Sequence, residues 1–307
     1  MNIIYASNIN SGGGKVLLET ALSTNHFGAI KKLYIDSRCD IAFDNFPGLE
    51  VTRVKPGVLS RFLAQFNLKT LCSKTKVDQV IFFGNLPPFL KINAKCSIFL
   101  QNAYLLKTTP LPKRIWPKVR TVFERILFYR FIDKDMQLMV QTTWMQKMLK
   151  KESNFHAELI DLLPQLPTLR VDEKVFDLIA ITGPELHKNQ KLLLASLKKI
   201  DLELSICIVS PSKVFIDNKK ISLTHYKRIE RVVLIKLLAS SSSVIVLSEF
   251  ESLCLPLYEG KHFGLKILAP KKDYITDHVL PDFEIEELTP EHVNKSIKKF
   301  IKSLGRG

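Results

Sequence analysis

Ser248-Glu249-Phe250-Glu251-Ser252-Leu253-Cys254-Leu255-Pro256-Leu257-Tyr258-Glu259-Gly260 is the stretch on which the reading of this chain turns. It follows an apolar run, Ser243–Leu247, and carries Pro256 at the start of a helical pattern, where a missing N–H costs nothing. Strand, turn and helix in that order make half of a βαβ unit. Two carboxylates, Glu251 and Glu259, flank the turn with seven residues between them. A helix N-terminus presents unpaired N–H groups and a partial positive charge, so it attracts anions. Glu259, expected in the first helical turn, should gain from that dipole. Carboxylates repel a bare phosphate but accept hydrogen bonds from paired hydroxyls. The combination points to a phosphate ligand with hydroxyl-rich sugars at both ends, which is a nucleotide-sugar.

Working outward, the same alternation recurs on both sides. Before the motif lie strand patterns at Val175–Thr182, Leu204–Val209 and Ser243–Leu247, with helical patterns at Lys188–Lys199 and Glu230–Ala239. After it come a strand at Lys266–Ala269 and an amphipathic helix at Pro290–Leu304. The first half offers strands at Asn2–Ala6, Leu33–Ile35, Gln79–Phe83, Ser97–Gln101 and Leu138–Val140, with helices at Leu59–Lys74 and Arg114–Phe131. Such alternation predicts mostly parallel sheets covered by helices. Between the halves, Asp161–Arg170 holds two prolines and no period, and reads as a linker. The expected domains are residues 1–163 and 174–307, with the 290–304 helix free to pack back on the first. Two α/β halves imply an α/β protein whose ligand sits at the carboxyl ends of the strands, in a cleft.

Composition narrows the class. At 307 residues with 46% hydrophobic and 24% charged side chains, the chain is globular and long enough for two domains. It has neither a spanning apolar run nor the basic start of a secretory leader, so a cytoplasmic location is expected. Five cysteines without paired spacing fit small buried residues in a reducing compartment. Cys254 has no nearby histidine to activate it as a nucleophile. The net charge of +15 favours anionic partners. It is concentrated early: Arg53, Lys55, Arg61, Lys69, Lys74 and Lys76 lie in a stretch without an acid. From Lys107 to Lys134, eight basic residues face only Glu124 and Asp133. Charge alone also admits a nucleic-acid binder, but no recognition motif for one is present, and no nucleic-acid partner is expected.

Two further turns carry chemistry. Gly12-Gly13-Gly14-Lys15 follows the first strand and precedes the first helix, and lets backbone approach a phosphate. With Val16 after Lys15 it is neither a dinucleotide fingerprint nor a triphosphate loop. Gly183-Pro184-Glu185-Leu186-His187-Lys188-Asn189 opens the first helix of the second half, where Lys188 adds a positive charge to an anion site. Asp133-Lys134-Asp135 spells a metal-binding Asp-x-Asp, but it lies between a basic helix and a strand, and no metal is expected. Of the scattered histidines, none shows ligand spacing, and only His262 and His278 are candidates to line a cleft. The 114–131 helix puts Ile115, Val119, Val122, Ile126 and Tyr129 on one stripe, with Trp116, Phe123 and Leu127 beside it and basic residues around. That pattern suits a core-packed helix or one lying on an anionic membrane surface.

Glu251-x7-Glu259 around Leu255-Pro256 resembles the Glu-x7-Glu motif of retaining glycosyltransferases of family 4, which have two Rossmann-like domains facing across a cleft, the GT-B fold. The resemblance extends over nearly the whole chain: Gly12–Gly14, Gly84–Pro88, Phe99–Asn102, Val140–Met145, His187–Asn189 and Ala239–Ser248 each match a family segment. Gly84–Pro88 and Phe99–Asn102 resemble members that build bacterial surface polysaccharide. It departs where Pro184 replaces an arginine, where Ser252-Leu253-Cys254 replaces Gly-Phe-Gly, and where Gln101 and Asn102 stand in place of a histidine.

The resemblance implies a hexosyltransferase using a UDP- or GDP-linked donor without a metal or other cofactor, and a saccharide or lipid-linked acceptor. Glu251 would face the donor sugar and Glu259 would hold the ribose. Lys188 and the amides of Ser252, Leu253 and Cys254 would neutralise the diphosphate, and Gly12, Gly13 and Gly14 would approach it from the acceptor-binding domain. A nucleotide-sugar 2-epimerase and a catalytically silent partner remain open on the same fold. The location implied is cytoplasmic, with the inner face of the membrane open to peripheral docking.

Overall fold

The computed structural model describes residues 1–169, 171, 173–183, 185–277 and 279–305. Arg170, Pro184 and His278, named above, lie outside the described residues. The chain forms two compact units, Met1–Gln165 and Leu166–Gly307. The boundary falls inside the proline-bearing segment.

In the first unit the elements run β1 (Asn2–Ala6), α1 (Gly12–Ser23), β2 (Ile30–Asp36), β3 (Glu50–Val54), α2 (Val58–Lys74), β4 (Gln79–Phe82), β5 (Lys95–Phe99), α3 (Ile115–Phe131), β6 (Gln137–Val140), α4 (Thr143–Ser153) and β7 (Ala157–Leu159). Seven parallel strands form one sheet in the order β3-β2-β1-β4-β5-β6-β7. The central strands are continuous apolar runs because helices cover both faces: Ile3, Ile4, Leu33, Ile35, Val80 and Ile81 are fully buried. Right-handed crossovers put α1 on one face and α2, α3 and α4 on the other.

The second unit contains β8 (Phe176–Ile181), α5 (Gln190–Leu197), β9 (Leu204–Val209), β10 (Ile221–Tyr226), α6 (Arg231–Ala239), β11 (Ser241–Ile245), α7 (Leu255–His262), β12 (Lys266–Pro270), α8 (Asp273–Thr276), β13 (Phe283–Ile285) and α9 (Pro290–Ser303). Its parallel sheet has the order β10-β9-β8-β11-β12-β13. The apolar face of α9, with Val293, Ile297, Phe300 and Ile301, joins Leu193 and Leu197 of α5 in this unit's own core. Thr289 caps α9 by accepting a hydrogen bond from the His292 amide.

Each sheet reverses its winding once. In the first, the chain leaves β1 towards β2 and later returns to β4 on the other side of β1. In the second the same reversal lies between β8 and β11. Turns leaving those two strand pairs diverge and leave a crevice at the carboxyl edge of the sheet. The glycine turn follows β1, the Lys188 turn follows β8, and the Glu251 turn follows β11.

Gly260 lets α7 press onto β11: a Cβ there would lie 2.7 Å from Val244 Cγ1. Val244 is a stiff, β-branched residue in a central strand. Gly260→Ala is therefore expected to cost about 1–3 kcal/mol, read as a lowered thermal midpoint; an unchanged midpoint would contradict the close contact.

Candidate functional site

The second unit's reversal point assembles most of the residues singled out above. After β8, Leu186–Lys188 forms one 3-10 turn and Asn189 takes a left-handed conformation (φ 51°) before α5 begins at Gln190. This corrects the expectation that Lys188 opens the helix. Asparagine tolerates that conformation, and the Asn189 side-chain amide donates to the Leu247 carbonyl at 3.0 Å. The Glu249 amide donates to the His187 carbonyl at 2.9 Å. These two bonds stitch the turn after β8 to the turn after β11.

Glu251 stands between the stitched turns. Its Oε1 accepts from the Ser248 hydroxyl at 3.0 Å. His187 Nε2 lies 3.7 Å and Lys188 Nζ 3.8 Å from the same oxygen. The His187 ring stacks on Phe250 with centroids 5.0 Å apart. Below, the Tyr274 hydroxyl donates to the Ser248 carbonyl at 2.6 Å. Burial opposes ionisation of Glu251, but His187, Lys188 and Ser248 together outweigh it and hold the carboxyl below its ordinary range. Lys188 is the mirror case: desolvation opposes its charge, while Glu251 and Glu185 restore it and raise the ammonium above its usual value. Both groups are thus charged near neutrality.

Ser252, Leu253 and Cys254 lead into α7, which has no side-chain cap at Cys254 and holds Pro256 in its first positions. Burial pushes the Cys254 thiol far up, which favours the unreactive protonated form. All five cysteines are buried and unpaired. The Glu185 carboxylate lies in the space that a Cβ on Gly183 would fill.

Glu259 departs from expectation. It is the fifth residue of α7, beyond the first turn, and only 1% exposed. Its Oε1 faces Arg231 Nη2 of α6 at 2.5 Å, with neither atom in an aligned hydrogen bond. Desolvation dominates and raises the Glu259 carboxyl, and Arg231 offsets only part of it. The α6 and α7 crossovers lie on the same face of the sheet, which is how residues 28 apart in sequence meet.

Arg231 belongs to none of the motifs read from sequence, and His187 stands in one of them without a role of its own. His187 had a signal, adjacent to Lys188 in the same turn. Arg231 had none beyond topology, because its role arises only when α6 and α7 pack as neighbours.

In the first unit, Gly12 opens α1 with φ +66°, a conformation that favours glycine. The α1 N-terminus at Ser11 also has no side-chain cap. The Asn8 amide donates to the Gly84 carbonyl at 2.7 Å, across the gap between β1 and β4. Gln101 donates through Nε2 to the Phe83 carbonyl at 2.8 Å, and its amide donates to Asn85 Oδ1 at 2.5 Å. A Cβ on Gly14 would lie 3.5 Å from Gln101 Oε1, so Gln101 stands beside the start of α1. Lys15 is engaged elsewhere, 2.6 Å from Asp40. Asp133 and Asp135 are exposed between α3 and β6. Among the described residues, no group of three or more His, Cys, Asp or Glu is arranged to hold a metal.

No protein-family model matches the chain, and no curated protein matches it in sequence. Solved structures do match over nearly its whole length. A sucrose-phosphate synthase from Thermosynechococcus elongatus superposes with a TM-score of 0.72 at 12% identity, covering 99% of this chain and 90% of that one. WaaG, a glycosyltransferase involved in lipopolysaccharide biosynthesis, gives 0.68 at 14% identity, over 98% and 90%. Anabaena HepE in complex with UDP-glucose gives 0.67 at 12% identity, over 99% and 91%. The chain has the GT-B fold, two α/β units each built on a parallel sheet.

The Arg231–Glu259 pair makes a signed prediction. Glu259 has a raised folded-state pKa, so the folded protein holds its proton more tightly than the unfolded chain, and this group's contribution falls as pH rises. Arg231→Ala removes the offset and leaves a buried carboxylate unpaired. A cost of roughly 2 kcal/mol is expected, discounted because Arg231 is partly exposed. Denaturant unfolding should show a larger loss at pH 8 than at pH 5; an equal loss at both would refute the assigned role.

Proposed function

We propose that this chain is a retaining, metal-independent glycosyltransferase of the family 4 type. It moves a hexose from a UDP- or GDP-linked donor to a saccharide or lipid-linked acceptor in bacterial surface polysaccharide synthesis. The observation that carries the reading is the meeting of Lys188 and Glu251, 3.8 Å apart, at the reversal point of the second sheet beside the start of α7. Both charges are maintained there, one suited to a diphosphate and the other to sugar hydroxyls. Neighbours of the same fold support the class: HepE has been solved with UDP-glucose and with UDP and glucose. WaaG and the galactosyltransferase WaaB belong to lipopolysaccharide synthesis.

In this reading the second unit binds the donor and the first binds the acceptor. Lys188 and the amides of Ser252, Leu253 and Cys254 neutralise the diphosphate as the bond from the sugar's anomeric carbon to the phosphate oxygen breaks. The acceptor hydroxyl forms its new bond on the same face and passes its proton to the departing phosphate. Glu251 orients the sugar, and Ser248 and His187 keep its carboxylate ionised. Glu259 reaches the ribose once its contact with Arg231 is exchanged for ribose hydroxyls. Gly12, Gly13 and Gly14 form the backbone approach to phosphate in the first unit. No metal or other cofactor is assigned, because Lys188 and a helix start supply the positive charge. The five unpaired cysteines support a cytoplasmic location.

The test is transfer from a panel of UDP- and GDP-hexoses to saccharide and lipid-linked acceptors. Glu251→Gln and Lys188→Ala should each reduce turnover by about 10²-fold or more with the thermal midpoint kept within a few degrees. Full activity in either variant, or an epimerised donor formed without acceptor, would overturn the assignment.

A further inference from the structure

Helix α3 is amphipathic in the wrong sense for a core helix. Only Thr121 and Phe128 are buried along it. Its inward side carries Arg125, whose guanidinium donates to the carbonyls of Tyr104 and Thr109, each at 2.7 Å. The apolar stripe faces out: Trp116 is 84% exposed and Ile115 75%, with Val119, Val122, Phe123 and Ile126 also exposed. Of the two roles left open for this stripe by sequence, packing in the core is excluded.

The neighbouring helix repeats the pattern. On α2, Val58 and Leu59 are more than two-thirds exposed, at 73% and 71%, and Phe62, Leu63 and Phe66 follow on the same stripe. Both helices lie on the same face of the first sheet by crossover handedness. They share a neighbour as well: the Phe89 amide donates to Gln65 of α2 at 2.8 Å, and the Phe89 ring packs on Phe131 of α3 at 5.4 Å. In both, the exposed residues fall in the N-terminal half, save Ile126 just past the middle of α3, and that half lies at the carboxyl edge of the strands in a βαβ unit. That is the edge where Gly12–Gly14 and Gln101 stand.

Eleven large apolar side chains in two parallel stripes exceed the scattered exposure of an ordinary surface. Lys55, Lys69, Lys113, Arg114, Lys118 and Arg120 lie on or just before these two helices, and the one acid of α3, Glu124, is paired with Arg120 at 2.8 Å. Apolar and aromatic residues accompanied by cations, on two helices that carry no unpaired acid, complement a bilayer of anionic lipid: the rings enter the acyl boundary and the cations meet the headgroups. A second protein copy fits less well, because two such rims would bring like charges together. No helix among the described residues is long and apolar enough to cross a membrane, so the contact is peripheral.

We propose that the exposed faces of α2 and α3 dock this protein on an anionic phospholipid surface, with the carboxyl edge of the first sheet next to the membrane. The proposal deepens the reading of a lipid-linked acceptor but does not rest on it: vesicle binding without sugar transfer would sustain docking and remove the transferase.

The experiment is co-sedimentation of the whole chain with vesicles of phosphatidylcholine alone or mixed with phosphatidylglycerol, at low and high salt. Binding is expected only to the anionic vesicles, weakened by salt. The Trp116 fluorescence should shift to the blue on binding, a change absent in Trp116→Phe. Lys113→Gln with Lys118→Gln should weaken binding on the order of tenfold. Trp116→Ser with Phe123→Ser and Ile126→Ser should abolish it while leaving the thermal midpoint unchanged, since these side chains are exposed. The proposal is overturned by equal binding to neutral vesicles, by retained binding in the folded triple variant, or by a dimer that the triple variant dissolves.

Discussion

Glu251 lies where burial alone would neutralise it, and it stays ionised because three groups on two turns face its carboxylate. Those turns leave adjacent parallel strands, β8 and β11, from which the chain departs in opposite directions. Much of the second unit serves that arrangement. Asn189 and Glu249 lock the turns together, and Phe250 braces the His187 ring. Tyr274 holds the Ser248 backbone from beneath. Without a cation opposite, a carboxylate at this depth would protonate, and without the carboxylate the Lys188 charge would lose most of its own compensation.

The legibility of the sequence divides along the sheets. Every interior strand was readable as an apolar run, since both faces are covered. The four strands that escaped notice are β3, β7, β10 and β13, and each is a sheet edge. Glu50-Val51-Thr52-Arg53-Val54 and Phe283-Glu284-Ile285 mix charges with apolar residues because one side meets solvent. Their period is too short and too polar to stand out from loop. The same logic governs the site. Glu251, Lys188 and the glycine turn are local to strand ends and could be read. The Arg231–Glu259 contact depends on two crossover helices lying side by side, which no local pattern encodes.

Amphipathicity misleads in a different way. The stripe on α3 has the spacing of a core face, yet Arg125 takes the inward position by finding two backbone carbonyls to hold. A guanidinium with satisfied donors can dock a helix as firmly as an apolar ridge. The direction of a helix is then set by which side finds partners, and its apolar side is left for something outside the chain.

The central claim is that the reversal point of the second sheet binds the diphosphate of a nucleotide. Titration calorimetry of the whole chain with UDP, GDP and the matching monophosphates addresses it most directly. The account predicts that one diphosphate binds about tenfold or more tightly than its monophosphate, the second phosphate gaining charge-assisted bonds at the Lys188 turn. Equal affinity for mono- and diphosphate, or no binding of either, would contradict it.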